Sequence, residues 1–406
     1  MDRIVVVGAS LAGVWACESL RNSGYTGAIT LVGEETHQPY DRPPLSKSLL
    51  KGEMEPDRIL LRKPDALAES DLDLRLGVRA SAFDAVARAV TLDTGEVVVG
   101  DGVILATGSA PRALPGQPVL DGITMLRTLD DSLDLRRRLA DHPRVVVIGA
   151  GFIGLEVAAT AKQTGCAVTV LEGAPAPMMR GLGAEMGEVV ARVQTRNGVD
   201  VRCGVQVAGI EGDGARVTGV RLGDGEVVPA DVVVVGIGVS PATEWLAGSG
   251  LDVRDGIVCD ESLRAAPRVY AAGDCARWIN RLFGETGEEM RVEHWTNAAE
   301  QGSAAASNLL AELAGQQRTP YAPVPFFWSD QFDSRIQFVG RAHGDDEVRV
   351  VMGDLDGKFV AVYGHARRLR GVLGVGMPKP VMRMRKLIGE RASWEDAVAH
   401  ATALMQ

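Results

Sequence analysis

Cysteine is sparse in this chain of 406 residues, and its five copies are scattered. They are Cys17, Cys166, Cys203, Cys259 and Cys275, an odd number with no Cys-x-x-Cys pair. This pattern argues against a disulfide framework, a zinc site and a redox-active disulfide. We therefore expect no metal site and a reducing, cytoplasmic compartment.

Basic residues and long apolar runs are also lacking. The 43 Lys and Arg residues are outnumbered by 53 Asp and Glu residues, which gives a net charge of −10. A nucleic-acid-binding protein with a generally basic surface is thereby disfavoured. No apolar run reaches the roughly 18 residues of a membrane span. The run at 4–17 resembles a signal-peptide core, but its glycines fall where a phosphate loop needs them.

Glycine is abundant, with 48 copies, and two glycine-rich turns share one pattern. Each turn follows a short β-branched run, at 4–13 and at 145–154, and precedes a stretch typical of a helix. A second predicted strand follows each of them, at 28–32 and at 167–171. The sequence therefore predicts an internal repeat of two βαβ units.

An acidic residue comes after the second strand of each unit. Glu34 and Glu35 lie 26 and 27 residues after Gly8, and Glu172 lies 23 residues after Gly149. These distances are close to the roughly 20 residues expected in a dinucleotide-binding unit, where the carboxylate accepts hydrogen bonds from ribose hydroxyls. The chain is therefore predicted to hold two nucleotide sites.

The glycines of such a motif have separate physical tasks. The first permits the tight turn, the middle one lets the backbone approach the pyrophosphate, and the third lets helix and strand pack closely. The residues expected in these roles are Gly8 and Gly13 in the first motif and Gly149, Gly151 and Gly154 in the second. Ser10 stands at the middle position of the first motif, and we expect a less ideal loop there rather than a lost site.

Several further segments match one known family together with these motifs. They are 39–47 (PYDRPPLSK), 104–112 (ILATGSAPR), 126–129 (LRTL), 236–238 (GIG), 269–274 (VYAAGD), 293–298 (EHWTNA) and 327–331 (FWSDQ). With them the chain resembles the bacterial FAD-dependent, NADH-using ferredoxin reductases of the putidaredoxin reductase type, which serve cytochrome P450 and aromatic-ring dioxygenase systems. The resemblance spans nearly the whole chain.

The resemblance implies an α/β fold with two Rossmann-like dinucleotide-binding domains, one for FAD and one for NAD, plus an α+β C-terminal interface domain. The implied boundaries are 1–113 and 240–320 for the discontinuous FAD domain, 114–239 for the NAD domain and 321–406 for the interface domain. This division agrees with the two or three domains that the length allows at about 150 residues each.

The resemblance also implies site residues. Lys47 would lie beside the flavin N5 with Glu156 as its partner, and these two are the candidate catalytic residues. The implied FAD contacts are Gly8, Ser10, Ala12, Gly13, Glu34, Glu35, Arg42, Lys47, Ala80, Ala106, Thr107, Gly108, Arg127, Asp274 and Trp295. The implied NAD contacts are Gly149, Gly151, Ile153, Gly154, Glu172, Arg180 and Gly238.

Simpler interpretations of these residues stay open. Lys47 could be a solvated surface lysine, and Glu156 a first-turn acid favoured by the helix dipole. Asp274 could cap a helix instead of binding a ribityl hydroxyl, and Trp295 could be a core aromatic. Glu172 favours NADH because a carboxylate repels a 2′-phosphate, although Arg180 could reach such a phosphate.

The C-terminal segment 366–391 reverses the sign of the average charge. It carries a local +7 and leaves −17 on the other residues. Ferredoxins are generally acidic, so a basic surface would steer and orient them. The proposed docking residues are Arg367, Arg370, Arg383, Arg385 and Lys386. A merely solvated face is the alternative.

The predicted function is transfer of electrons from NADH, through FAD, to an iron–sulfur ferredoxin that feeds a cytochrome P450 or similar oxygenase. The alternatives are a rubredoxin reductase, another NADH-dependent flavoprotein that reduces oxygen or a quinone, and a redox and binding protein like apoptosis-inducing factor, which shares PPLSK. An NADH oxidase or peroxidase of this fold would need a reactive cysteine near position 42, where the sequence has Asp-Arg-Pro. No nucleic-acid or membrane partner is expected.

Overall fold

Short strands and helices follow one another along the chain, as the β-branched runs and glycine turns predict. The computed structural model describes residues 3–63, 65–66 and 69–403. The strands are β1 Arg3–Val7, β2 Ala28–Gly33, β3 Leu72–Leu76, β4 Ala80–Asp84, β5 Ala89–Leu92, β6 Val97–Val99, β7 Gly102–Leu105, β8 Ser109–Pro111, β9 Ile123–Thr124, β10 Arg144–Ile148, β11 Ala167–Glu172, β12 Asp200–Cys203, β13 Val207–Gly212, β14 Val217–Leu222, β15 Val227–Pro229, β16 Val232–Val235, β17 Val239–Pro241, β18 Val253–Arg254, β19 Gly256–Val258, β20 Arg264–Ala266, β21 Val269–Ala271, β22 Ala276–Asn280, β23 Glu288–Arg291, β24 Phe326–Gln331, β25 Ser334–Gly340, β26 Glu347–Gly353, β27 Phe359–His365 and β28 Arg368–Val375. The helices are α1 Leu11–Asn22, α2 Ser48–Lys51, α3 Leu129–Leu139, α4 Phe152–Gln163, α5 Met179–Arg196, α6 Trp295–Leu313, α7 Pro378–Gly389 and α8 Trp394–Ala403.

The described residues fall into two units, each assembled from three segments of chain. The first unit contains 1–41, 59–110 and 240–325, and the second contains 42–58, 111–239 and 326–406. The short segment 42–58, which includes PPLSK, therefore belongs to the second unit. The three domains expected from the sequence, with boundaries at 113, 239 and 320, stay a prediction.

The first unit is built on a six-stranded sheet with the order β20-β21-β7-β1-β2-β3. Strand β1 pairs in parallel with β2 on one side and with β7 on the other. Its residues Ile4, Val5 and Val6 are fully buried, as expected for a parallel strand that is covered on both faces. Because the two neighbours of β1 lie on opposite sides, its carboxyl end opens a crevice of the kind that binds nucleotides.

The second unit repeats this arrangement in a five-stranded sheet with the order β12-β11-β10-β16-β9. Strand β10 lies in parallel between β11 and β16, just as β1 lies between β2 and β7. Both central strands continue into a glycine turn and a helix, α1 after β1 and α4 after β10. The structure therefore contains the internal repeat that the sequence predicts.

The C-terminal part of the second unit is an antiparallel sheet with the order β24-β25-β28-β27-β26, followed by α7 and α8. Residues alternate along β24, so that Phe327, Ser329 and Gln331 are buried and their neighbours are partly exposed. One strand thus turns two polar side chains of the WSDQ motif toward the protein interior.

The smaller sheets are β4-β5-β6, β13-β14-β15, β18-β19-β22-β23 and the two-stranded β17-β8. Two Rossmann-like sheets with an α+β C-terminal part confirm the predicted fold class. In the part of the chain that the structure describes, no helix has the length and apolarity needed to cross a membrane.

Candidate active site

The outer glycines of the first motif are fixed by the backbone around them. Gly8 adopts a φ of +118°, and a Cβ there would lie 2.1 Å from the carbonyl oxygen of Ala106. A Cβ on Gly13 would lie 2.0 Å from the carbonyl oxygen of Gly8. Both distances are far inside van der Waals contact, so only glycine lets β1, its turn and α1 approach this closely.

The three glycines of the second motif differ in their surroundings: two are required by the close approach of backbone atoms, and one faces open space. A Cβ on Gly149 would lie 2.4 Å from the carbonyl oxygen of Gly236, and one on Gly154 would lie 2.2 Å from that of Gly149. At Gly151, by contrast, no described residue beyond its immediate neighbours along the chain comes within 4 Å of such a Cβ. This open space lies at the start of α4, the position at which the helix amides of a dinucleotide-binding unit face a pyrophosphate, and the NAD contact of Gly151 stays a prediction.

Ser10 takes the corresponding middle position of the first motif. Its backbone is extended, with φ −126° and ψ −162°, which any residue adopts without strain. Its side chain does not cap α1, so the hydroxyl can serve as a donor toward a phosphate. The departure from glycine is therefore compatible with a nucleotide loop.

The acidic residues after the second strands have different surroundings. Glu172 lies beside its own glycine loop, because Oε2 accepts the amide of Ala150 at 2.7 Å and Oε1 accepts the amide of Ala174 at 2.8 Å. In the first unit, Glu35 accepts the hydroxyl of Tyr40 at 2.5 Å, whereas Glu34 is largely exposed. Glu172 is thus already held at the edge where a ribose would lie.

Thr107 and Gly108 form the turn after β7. The hydroxyl of Thr107 donates to the carbonyl of Ala242 at 2.8 Å, and the amide of Ala242 donates to the carbonyl of Gly108 at 3.0 Å. Gly108 needs its glycine, since its φ is +71°. This turn lies at the same sheet edge as the Gly8 loop, because β7 and β1 are parallel neighbours.

Asp274 lies at that edge as well. It occupies the turn after β21, which is a parallel neighbour of β7. The hydroxyl of Ser109 donates to Asp274 Oδ2 at 2.7 Å. Ala272, and not Asp274, holds the N-cap position of this turn, so the helix-capping interpretation is not met. The structure brings Asp274 together with the Gly8 and Thr107 turns, and its flavin contact stays a prediction.

Trp295 begins α6 and is held by a polar and an aromatic contact. Its indole nitrogen donates to Asp41 Oδ1 at 2.6 Å, and its ring meets Trp15 edge-on with 6.0 Å between centroids. The Arg62 guanidinium lies 4.5 Å from the centroid of Trp15. Burial lowers the pKa of the preceding His294 to about 4, so this imidazole is neutral near pH 7.

Ala12 and Ala80 are packed positions in the first unit. Both are buried, and a Cβ on Gly302 of α6 would lie 2.2 Å from the carbonyl oxygen of Ala12. The structure thus shows a close approach of α1 and α6 there, and the flavin contacts of both alanines stay predictions.

Lys47 and Glu156 form a largely buried ion pair. Lys47 Nζ lies 2.5 Å from Glu156 Oε2, although 109 positions separate the two residues in the chain. The Glu156 carboxylate also accepts the hydroxyl of Ser46 at 2.6 Å on Oε2 and that of Ser329 at 2.7 Å on Oε1. The Lys47 ammonium additionally donates to the carbonyl of Pro43 at 3.2 Å. A surface lysine and an ordinary helix acid would not be buried and bonded in this way.

The loop that carries Lys47 is tied down through its backbone. The hydroxyl of Thr160 donates to the carbonyl of Ser46 at 2.7 Å, and that of Ser132 donates to the carbonyl of Leu45 at 2.7 Å. Both donors are buried side chains of helices. The PPLSK loop is therefore a rigid platform for the ammonium group.

Arg42 and Arg127 contact each other within the second unit. The Arg42 guanidinium donates to the carbonyl of Arg127. The amide of Arg127 donates to Asp131 at 3.0 Å, and Thr128 and Asp131 form a capping box at the start of α3. The structure places the two arginines together, and their FAD contacts stay predictions.

Three predicted NAD residues lie in exposed positions near the second glycine loop. Ile153 lies in the first turn of α4 with 40% of its surface exposed, and Gly238 follows β16 with a φ of +101°. Arg180 lies in the first turn of α5, two residues after Met178, whose amide donates to the carbonyl of Ala150 at 3.0 Å. All three follow elements at the carboxyl edge of the sheet, and their NAD contacts stay predictions.

The basic side chains of the segment 366–391 differ in their exposure and in their partners. Arg367 pairs with Glu395 at 2.6 Å, outside the segment, and Arg370 contacts His343 at 2.9 Å. On α7, Arg385 is only half-exposed, whereas Arg383 is exposed. The local +7 thus overstates the charge offered to a partner, and α7 retains the exposed basic face.

The cysteines carry no redox pair. All five lie in the described part of the chain, and all are free thiols. Burial raises the pKa of Cys17 to about 12 and also raises that of Cys166, Cys203, Cys259 and Cys275. Because the thiolate is the reactive form, none of them suits disulfide exchange.

Four polar residues that hold the predicted ones were not predicted from the sequence. They are Asp41, Ser46, Ser109 and Ser329. Each bonds to its partner across at least 110 positions of chain, so no spacing rule indicates it. Their one signal is that they fall inside the motif segments 39–47, 104–112 and 327–331.

Two known family descriptions match the chain. "Pyridine nucleotide-disulphide oxidoreductase" matches residues 2–302, and "Reductase C-terminal" matches residues 326–405. The first match contains both glycine loops, and the second begins at β24.

Characterised proteins of similar length also resemble the chain. Rhodocoxin reductase of Rhodococcus erythropolis is 39% identical, over 95% of this chain and 89% of its own. Putidaredoxin reductase of Pseudomonas putida is 36% identical, over 96% and 92%. The crystal structure of the covalent putidaredoxin reductase–putidaredoxin complex superposes with a TM-score of 0.91 at 35% identity, covering 99% of each chain. The ferredoxin reductase for the CYP199A2 system of Rhodopseudomonas palustris gives a TM-score of 0.92 at 36% identity, over 100% and 99%.

Proposed function

We propose that this chain, which belongs to the pyridine nucleotide-disulphide oxidoreductase family, is a ferredoxin reductase that uses FAD and NADH. It passes electrons to a small iron–sulfur ferredoxin that feeds a cytochrome P450 or similar oxygenase. The family expected from the motifs is thereby confirmed. The observation that carries the proposal is the buried Lys47–Glu156 ion pair, in a chain with two nucleotide loops and five free thiols.

The residues present fit both nucleotides. The Gly8 loop and the start of α1 would hold the FAD pyrophosphate, and Asp274 with Ser109 would hold a ribityl hydroxyl. The open space at Gly151 and the carboxylate of Glu172 would hold NADH. When bound, FAD supplies the redox chemistry, since it takes two electrons as hydride and releases them singly.

The chain itself supplies charge and orientation. The Lys47 ammonium provides a fixed positive charge for the negative charge that develops on hydride arrival. Glu156 keeps that ammonium in one place, because it accepts both the lysine and the hydroxyl of Ser46. No side-chain nucleophile is needed, which agrees with the raised pKa of the thiols.

The direct test is stopped-flow reduction by NADH followed by a panel of acceptors. We expect rapid flavin reduction and then efficient transfer to a ferredoxin, with cytochrome reduction as the readout. Transfer to rubredoxin, oxygen or a quinone, but to no ferredoxin, would overturn the choice of acceptor.

Glu172 is proposed to select NADH over NADPH. Replacing Glu172→Gln removes the charge that repels a 2′-phosphate and weakens the ribose contact, so the ratio of kcat/KM for NADH to that for NADPH should fall about tenfold. Steady-state kinetics with both coenzymes measures this ratio. Glu188→Gln, an exposed acid on α5, serves as the matched control. An unchanged ratio in Glu172→Gln would assign the selection elsewhere, with Arg180 as the next residue to replace.

The exposed face of α7 is proposed to dock the acidic ferredoxin. Lys379, Arg383 and Lys386 lie at helical spacing on it, and the Lys386 ammonium lies 3.4 Å from the exposed carboxylate of Glu390. Met382, with 42% of its surface exposed, lies beside Arg383. A basic rim around an apolar side chain suits a transient complex with an acidic protein.

Charge reversal on this face tests the docking proposal. Arg383→Glu with Lys386→Glu should lower ferredoxin-dependent kcat/KM about tenfold at low salt and flatten its salt dependence. Reduction of ferricyanide by NADH should not change, because it needs no docked protein. Arg137→Glu, an equally exposed arginine on α3, is the control. Equal losses with ferricyanide and ferredoxin would contradict a docking role.

We propose that the protein works in the cytoplasm, and its thiols support this. Five unpaired cysteines suit a reducing compartment, whereas an oxidising one favours disulfides.

A further inference from the structure

The Oε1 atom of the Glu156 carboxylate accepts a hydrogen bond from a segment that is distant in the sequence. Ser329 on β24 donates to Oε1 at 2.7 Å, while Lys47 and Ser46 both bind Oε2. Ser329 is fully buried, so water does not take its place. The C-terminal sheet thus reaches the ion pair through one hydroxyl group.

That hydroxyl belongs to a longer chain of buried hydrogen bonds. Gln331 Nε2 donates to Ser329 Oγ at 3.2 Å, and Gln331 Oε1 accepts Gln194 Nε2 at 2.8 Å. Gln194 Nε2 also donates to the carbonyl of Leu155 at 3.1 Å. Gln194, Gln331 and Ser329 each show 0% exposure, which means that all three depend on one another for hydrogen bonding.

The donor-to-acceptor direction of these hydrogen bonds is fixed at Gln194, the residue farthest along them from Glu156. A backbone carbonyl can only accept, so the Leu155 oxygen turns the amino group of Gln194 toward itself and toward Gln331. The Gln331 oxygen then faces Gln194, and its amino group faces Ser329. Because Ser329 receives that donor, its own proton is left for Glu156. From Gln194 through Gln331 and Ser329, one donor of each residue therefore points along the chain of hydrogen bonds toward the carboxylate, which receives them as an acceptor.

An aromatic contact also holds β24 against α4. The ring of Phe327, two residues before Ser329 on β24, meets the ring of Phe152 on α4 with 4.4 Å between centroids. Glu156 lies one helical turn after Phe152. The strand that carries the donors is thus packed against the helix that carries the acceptor.

We propose that Ser329, Gln331 and Gln194 form a positioning relay that holds Glu156 as an ionised acceptor and thereby fixes the Lys47 ammonium. The inference rests on the proposed function for its consequence, because the held ammonium is the group that acts on the flavin. Its structural content concerns the ion pair alone and is testable without electron transfer. These three are positioning residues, since they act through Glu156 and Lys47.

The first test measures how firmly Lys47 is held. Acetylation of lysines in the purified holoenzyme, quantified by mass spectrometry against exposed Lys379, reports the accessibility of the Lys47 amine. Loss of one hydrogen bond to a charged group in Ser329→Ala should raise Lys47 labelling about fivefold. Gln331→Met should raise it about twofold, because Ser329 keeps its bond to Glu156 but loses its own donor. Ser334→Ala, which removes a hydroxyl of the same sheet that donates to exposed Asp333 at 3.3 Å, should leave labelling unchanged. Equal labelling of Lys47 in all four proteins would overturn the relay.

The second test separates positioning from general stability. Single-turnover flavin reduction by NADH should slow about fivefold in Ser329→Ala. In a Lys47→Met background the same Ser329→Ala change should have no further effect, because the group it positions is gone. Equal slowing in both backgrounds would mean that Ser329 acts independently of the ion pair, and the relay would be wrong. If the wild-type flavin is not reduced by NADH, the proposed function fails, while the labelling result still decides the relay.

Discussion

Replacing Lys47 by methionine is expected to slow reduction of the bound flavin by NADH about a hundredfold, the effect typical of losing one preorganised electrostatic group in an active site. Methionine keeps much of the length and volume of the side chain but removes its charge. The ammonium of Lys47 is held by Glu156 and by the carbonyl of Pro43, so no reorganisation is needed when charge develops. FAD should stay bound, because its glycine loop does not involve Lys47. Stopped-flow absorbance at saturating NADH measures the rate, and the absorbance of the purified protein reports the bound FAD.

Lys51 provides the matched control for this change. It lies four residues further on, in α2, and its ammonium pairs with exposed Glu53 at 2.6 Å. Lys51→Met should therefore leave flavin reduction at the wild-type rate. A Lys47→Met protein that keeps its FAD and is reduced as fast as wild type would remove Lys47 from the mechanism.

Glu156→Gln sharpens the same prediction. The amide would keep an oxygen for one hydroxyl donor but would leave the largely buried Lys47 ammonium without its counter-charge. We therefore expect slowing in the same direction as Lys47→Met but smaller, about tenfold, since the ammonium itself remains. Comparing the two variants distinguishes the charge of Lys47, which acts on the flavin, from the charge of Glu156, which positions Lys47.

The sequence predicted those parts of the fold that depend on neighbouring residues. Valine-rich runs became the buried strands β1 and β10, and the glycine turns after them have the backbone geometry that their spacing indicated. Local spacing also placed Glu172 at its loop, because a strand of fixed length ends there. Such features follow from periodicity and turn chemistry over a few tens of residues.

Contacts across long stretches of chain could not be derived in this way. The Lys47–Glu156 pair spans 109 positions, and only the resemblance to a family indicated it. The donor from Ser329 spans 173 positions and was missed. The charge of the basic segment 366–391 shows the same limit. Arg367 pairs with Glu395, which lies 28 positions away and outside the segment over which the charge was summed. Tertiary packing decides these partners, and no local pattern records it.

The glycines of the second motif give the other large prediction, because the structure assigns them opposite tasks. Gly149→Ala forces a Cβ to 2.4 Å from a backbone oxygen, at a φ of +100°. Neither the β10 turn nor the Gly236 backbone can move far, so we expect a loss of about 4 kcal/mol and a Tm lower by roughly 10 °C. Gly151→Ala meets open space at a φ of −78°, which alanine adopts freely, so its Tm should equal that of wild type.

NADH binding should separate the two variants in the opposite sense. In Gly151→Ala the added methyl occupies the space through which the pyrophosphate reaches the amides of α4, so the Kd for NADH should rise tenfold or more, roughly the loss from one misplaced contact of this kind. FAD content should not change, because the Gly8 loop is untouched. Titration of the oxidised protein with NAD⁺, together with the NADH dependence of single-turnover reduction, measures the affinity. Unaltered affinity in Gly151→Ala would mean that the second loop tolerates a Cβ as the first loop does at Ser10, and the pyrophosphate would then have to lie farther from α4 than the open space indicates.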